Sequence, residues 1–132
     1  MKNKQIKQLT IDENKWTTGS LYKDGAYCAL GYACKRYGFS DDDMDGLGLP
    51  EELEEMGFGD IPEWMLEVVP TELLKSSLLG VDEAEYLSEE DIQNVVPMVN
   101  DTKSLSKDEK KKRLKQLFKF VGIDLHFKNG AK

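Results

Sequence analysis

Apolar residues along this chain recur in short runs whose spacing changes several times. Leu30, Ala33, Cys34 and Tyr37 stand at i, i+3, i+4 and i+7 ahead of Gly38, which predicts a helix buried on one face and closed by glycine. The small residues Ala29, Gly31 and Ala33 let another backbone come close to it, and Lys35 and Arg36 suit the negative end of its dipole. Leu114, Leu117, Phe118 and Val121 repeat the spacing near the C-terminus, between a Ser106/Glu109 capping pair and Gly122. Shorter helices are expected between these two. One has Pro50 in its first turn and Leu53 and Met56 on its apolar side. One starts at Asp60-Ile61-Pro62-Glu63, with Ile61, Trp64, Met65 and Val68 as its stripe and Pro70 as its end. Thr71 to Leu79 forms another, closed by Gly80, and a further helix carries Ile92, Val95 and Val96, capped from Ser88 and Asp91 and kinked or ended by Pro97. Two segments have a strand character: the runs flanking Lys23-Asp24-Gly25 predict a β-hairpin, and Ile123 to Phe127 alternates as a terminal strand. The expected fold is therefore α+β, a mainly α-helical single domain over residues 1–132 with a small N-terminal β-hairpin.

A chain of 132 residues can bury a sufficient core without disulfides or metal. No apolar run is long enough to cross a bilayer, and no apolar segment follows the basic start, so neither a membrane span nor a secretory signal is expected. Two cysteines suit a reducing, cytoplasmic setting. The net charge of −7 conceals a segregation. Residues 1–39 hold 7 Lys/Arg against 3 Asp/Glu, residues 40–100 hold 1 against 18, and residues 101–132 hold 10 against 4. Either the basic ends fold against the acidic middle and neutralise it, or the middle forms an exposed acidic surface that attracts a basic protein partner. Such a surface repels phosphate, which argues against direct nucleic-acid binding, although the basic C-terminal helix keeps that option open.

Among motifs that carry chemistry, Asp41-x-Asp43-x-Asp45-Gly46 with Glu52 at the twelfth position matches a calcium loop. Calcium wants six to eight oxygens; three close carboxylates, the Leu47 carbonyl and a bidentate Glu52 supply them in outline. Gly48 and Pro50 depart from the usual helix-loop-helix frame, and a solvated acidic loop is the simpler alternative. Cys28 lies at a strand-to-helix junction, where a thiol pKa can be lowered enough to make a nucleophile. Its only possible histidine base, His126, is distant in sequence and reads as a half-buried strand residue, so a small buried cysteine is the competing account. Cys28 and Cys34 do not share a helix face and form no zinc site, and Gly46-Leu47-Gly48 lacks the lysine and hydroxyl of a phosphate loop.

Three short motifs, Trp16-Thr17-Thr18-Gly19, Cys28-Ala29-Leu30-Gly31-Tyr32-Ala33 and Val99-Asn100-Asp101, resemble a domain family of unassigned function found in small bacterial and phage proteins. The likeness spans roughly the first 38 and the last 35 residues and leaves out the acidic stretch. It implies a small accessory protein of phage type and supplies neither a mechanism nor a catalytic residue.

These observations point to a non-enzymatic, acidic protein-interaction module, an inhibitor of the anti-defence kind that occupies a basic, nucleic-acid-binding surface on its partner. The partner-binding residues expected are Asp41, Asp42, Asp43, Asp45, Glu51, Glu52, Glu54 and Glu55, with Trp64 or Met65 as an apolar anchor if exposed. The alternatives are a calcium-binding module built on Asp41, Asp43, Asp45 and Glu52, and a cysteine-dependent enzyme built on Cys28.

Overall fold

The computed structural model describes residues 6–81 and 89–128. The chain is mainly helical with a small β component. In chain order the elements are β1 (Gln8–Asp12), a 3-10 turn, β2 (Tyr22–Lys23), β3 (Ala26–Tyr27), α1 (Ala29–Arg36), α2 (Asp41–Met44) and α3 (Glu51–Glu55); a second 3-10 turn (Glu63–Leu66), α4 (Thr71–Leu78), α5 (Ile92–Asp101), α6 (Lys107–Phe120) and β4 (Asp124–Lys128) follow. The hairpin forms as its sequence predicts: Tyr22 pairs with Tyr27 and Lys23 with Ala26, and Asp24 (φ 52°) and Gly25 (φ 85°) make the tight turn.

The N-terminal strand has no counterpart among the sequence expectations. β1 runs parallel to β4, with Leu9 beside Leu125 and Ile11 beside Phe127. Leu9, Ile11 and Leu125 are buried while Gln8, Thr10, Asp124 and His126 are exposed, so the period-two pattern puts one face of this ribbon on the core. His126 is therefore exposed rather than half-buried. Beneath the ribbon, Leu114, Leu117 and Phe118 of α6 are fully buried, each contributing on the order of 2 kcal/mol by leaving water.

Several expectations are corrected by backbone hydrogen bonding. The segment after Asp60 winds only one 3-10 turn, because Ile92 N–H donates to the Glu67 carbonyl (3.0 Å) and Val69 N–H to that of Glu90 (2.9 Å). This strand-like bridge turns Val68 outward, while Ile61, Trp64 and Met65 stay in the core. Pro97 does not end α5: the helix runs through it to Asp101. Ser88 lies outside the described residues, and Asp91 is itself the N-cap of α5, accepting from Asn94 N–H. Ser106 accepts from Glu109 N–H (3.1 Å) as predicted, but the Glu109 carboxylate turns to Arg113 (2.9 Å). Arg113 is buried and also donates to the Ser77 and Leu79 carbonyls, satisfying the C-terminal end of α4 with a cation.

Candidate functional site

The acidic segment folds as two short helices on the surface. Ser40 starts α2 by accepting from Asp43 N–H (3.1 Å), with Asp41, Asp42 and Asp43 in the first turn, where the dipole favours negative charge. Buried Met44 and Leu53 tie α2 and α3 to the core. Leu21 N–H donates to the Leu47 carbonyl (2.7 Å), and Gly46 N–H to that of Tyr22 (3.2 Å), which fastens the connecting loop to β2. Asp42, Asp45, Glu54 and Glu55 are exposed, and Asp41, Asp43, Glu51 and Glu52 are partly so.

Several of these carboxylates have fixed orientations. Asp41 accepts from the Tyr27 hydroxyl (2.7 Å) and from Lys35 (2.9 Å); these bonds hold its carboxyl below the usual carboxylate range, the tyrosine contributing most. Burial first, and then the Asp41 hydrogen bond, push the Tyr27 hydroxyl up to about 12. Glu52 accepts from Gly48 and Leu49 N–H (2.7 and 2.8 Å), Glu54 from Ile61 N–H (2.9 Å), and Glu51 from the amide of buried Gln93 (2.6 Å). Three of the would-be calcium ligands are engaged within the fold: Asp41 serves Tyr27 and Lys35, Glu52 serves its own loop, and the Leu47 carbonyl serves Leu21. Among the described residues no group of three or more His, Cys, Asp or Glu side chains is gathered for a metal ion.

The ion pairs of the basic C-terminal helix lead elsewhere. Lys111 pairs with Glu13 (2.7 Å), with Lys107 at 4.0 Å from the same carboxylate, and Arg113 pairs with Glu109. Lys110 donates to the Asn100 carbonyl (3.0 Å), and Lys111 and Lys115 lie over the Phe127 ring. Of the eight carboxylates from Asp41 to Glu55, only Asp41 forms an ion pair among the described residues, with Lys35 of α1.

Trp64 is 5% exposed, donates its indole N–H to the Tyr37 hydroxyl (2.9 Å) and packs on Phe118; Met65 is fully buried. Neither offers an anchor. Among the described residues, the large apolar side chains that do reach the surface are Met56, Phe58, Leu66, Val68, Leu79 and Phe120. The first five fall in the acidic part of the sequence, and burial of Trp64 and Met65 instead of their neighbours follows from the short 3-10 turn.

Cys28 is buried and acts as N-cap of α1, its Sγ accepting from Gly31 N–H (3.4 Å). Burial outweighs that bond and pushes the thiol up to about 12; burial raises Cys34 as well. Cys28 is therefore a protonated thiol at neutral pH. We expect 5,5′-dithiobis(2-nitrobenzoate) to label neither cysteine in the native protein near neutral pH and both after denaturation; rapid native labelling of Cys28 would restore the cysteine-enzyme alternative.

The three short motifs converge on one side chain. Asn100, 1% exposed, accepts from Trp16 Nε1 (2.6 Å) and Ala29 N–H (3.2 Å), and its amide donates to the Thr17 carbonyl (3.0 Å) and to Asp101 (2.8 Å). Asp101 in turn accepts from Gly19 N–H (3.0 Å). All four hydrogen-bonding positions of the Asn100 amide are used, so it fastens the Trp16–Gly19 turn and the start of α1 to the end of α5. A pocket of about 180 Å³ opens beside it, lined by Trp16, Thr17, Thr18, Lys107 and Lys110. Comparison with family models, curated proteins and solved structures returned no match.

Proposed function

We propose that the protein is an acidic interaction module whose α2–α3 surface occupies a basic, nucleic-acid-binding face of a partner protein, as an inhibitor of the anti-defence type would. The observation that carries this reading is the direction of the lysines. Among the described residues the C-terminal helix directs its ion pairs to Glu13 and Glu109, so the α2–α3 carboxylates other than Asp41, which pairs with Lys35, keep their charge available to a partner. Two further features support it. Glu52 and Glu54 are held by backbone N–H groups, and carboxylates fixed on a short rigid surface imitate backbone phosphates better than mobile ones. Met56 and Phe58 are exposed immediately after α3 and supply apolar contact of the kind that anchors interfaces.

The test compares immobilised wild type with the combined variant Glu51→Lys, Glu52→Lys, Glu54→Lys and Glu55→Lys in a bacterial host lysate. Wild type is expected to retain a nucleic-acid-binding protein that duplex DNA displaces, and that is released between about 0.1 and about 0.5 M NaCl as screening shortens to a few ångströms. The variant is expected to retain none of it, and circular dichroism checks that it is folded. Retention by the variant, or indifference to both salt and DNA, would defeat the reading.

A further inference from the structure

A second charged feature lies outside the α2–α3 surface, where α6 turns into β4. Gly122 (φ 84°) reverses the chain there, and Asp124 N–H donates to the Lys7 carbonyl (2.8 Å), which brings the start of β1 alongside. A cavity of about 560 Å³ opens at this junction, lined by Lys7, Lys115, Lys119, Ile123, Asp124 and His126 among others. Lys115 and Lys119 are one helical turn apart on the same face of α6, and Lys7 lines the cavity from the position just before β1. None of the three lysines forms an ion pair among the described residues; Lys115 only overlies the Phe127 ring at 6.0 Å. The one carboxylate in the lining among the described residues, Asp124, faces His126 at 3.2 Å. Three lysines and, among the described residues, a single carboxylate therefore line one concave space whose size is that of a small-molecule site.

We propose that this cavity binds a small phosphate-bearing molecule of about nucleotide size, held by Lys7, Lys115 and Lys119. Like charges held together are destabilising unless an anion joins them, and a phosphate group accepts hydrogen bonds from several ammonium donors at once. A short ligand senses charge only within about a Debye length, roughly 8 to 10 Å, and so meets an excess of lysine over the one Asp124 carboxylate. A long nucleic acid would extend beyond the cavity over a chain whose net charge is −7. The concave form and the segregated charge thus favour a small ligand over a polymer.

Adenosine diphosphate is the probe, titrated by calorimetry into wild type, into Lys115→Ala/Lys119→Ala and into Lys103→Ala/Lys112→Ala. The third protein loses the same charge from exposed lysines outside the cavity. The expected result is saturable binding at one site per chain, weakened about tenfold or more by Lys115→Ala/Lys119→Ala, the loss of charge-assisted hydrogen bonds, and unchanged by the control pair. No saturation up to about 1 mM, equal weakening by both pairs, or a single-stranded oligonucleotide that binds more tightly than adenosine diphosphate would each overturn the proposal. Reversal of Glu51 to Glu55 leaves this cavity untouched, so the outcome is independent of the reading of the acidic surface.

Discussion

Replacing Gly31 with alanine is expected to cost about 3 kcal/mol and to lower the melting temperature by roughly 10 °C, a larger effect than any exposed helical substitution should have. Elsewhere in a helix the same change would stabilise by up to about 1 kcal/mol, because alanine is the better helix former. Here an added Cβ would overlap the Leu21 carbonyl oxygen and stand 2.8 Å from its carbon. Both atoms belong to the backbone, so no side chain can rotate away. The start of the β2–β3 hairpin would have to lift from α1, giving up the Cys28 N–H bond to the Leu21 carbonyl (3.3 Å) and disturbing the Leu21 N–H to Leu47 contact that seats the acidic loop. Thermal unfolding of Gly31→Ala followed by circular dichroism makes the measurement. A melting temperature equal to or above that of wild type would mean that the close approach of the two backbones is not as described.

The second large effect is expected at Asn100. Asn100→Ala leaves Trp16 Nε1, Ala29 N–H and the Thr17 carbonyl without partners, and a buried polar group left unsatisfied costs about 1 to 3 kcal/mol. Water can reach part of the site through the neighbouring pocket, so the expected total is about 3 kcal/mol rather than the full sum. Asn100→Asp distinguishes hydrogen bonding from packing. It keeps the acceptor for Trp16 and Ala29 but loses the donor to Thr17, and it sets a carboxylate beside Asp101 in a buried place. That carboxyl should titrate above its unfolded value, so its protonated form is the one that stabilises the fold. The deficit of Asn100→Asp relative to wild type should then be small at about pH 4 and grow as pH rises towards 7. Urea unfolding at the two pH values measures it, and a deficit independent of pH would show that the network does not confine that carboxyl.

The parts of the fold that were legible in the sequence are those where local chemistry agrees with the final packing. Asp24-Gly25 can hardly be other than a tight turn, and the Leu114 to Val121 stripe has its cap and its glycine stop in place. Where two local rules compete, the sequence is ambiguous. Pro62-Glu63 starts a helix well, yet the backbone of Glu67 to Val69 bonds across to Glu90 and Ile92, residues more than twenty positions away, and no local pattern announces that pairing. Gln8 to Asp12 does alternate, but a strand of five residues is recognisable only with its partner, and β4 lies at the other end of the chain. Pro97 reads as a break because it lacks an N–H; α5 continues because its flanking residues Val95, Val96 and Val99 are held in the core.

The candidate site was legible as composition and not as geometry. The run of carboxylates from Asp41 to Glu55 is plain in the sequence, whereas its solvent-facing placement depends on where Lys107 to Lys119 point, which is a tertiary fact. The same holds for the anchor. Trp64 is the most conspicuous apolar residue of the segment, and it is buried against Phe118, while the less conspicuous Met56 and Phe58 are exposed. Asn100 carries no chemical signal of its own in the sequence; a buried asparagine becomes intelligible only when its four partners are seen.

The central claim is that, among the described residues, the α2–α3 carboxylates are not compensated by the basic helix, and it can be tested without any partner. Carboxylates crowded on one surface repel one another, and salt screens that repulsion, whereas salt weakens attraction between opposite charges. Melting temperature is therefore measured at neutral pH from about 0.02 to about 0.3 M NaCl, a range over which the screening length falls from more than 20 Å to less than 6 Å. A rise of a few degrees with added salt is the predicted result. A fall over the same range would mean that the acidic middle is held by ion pairs with the basic ends, and would contradict the account.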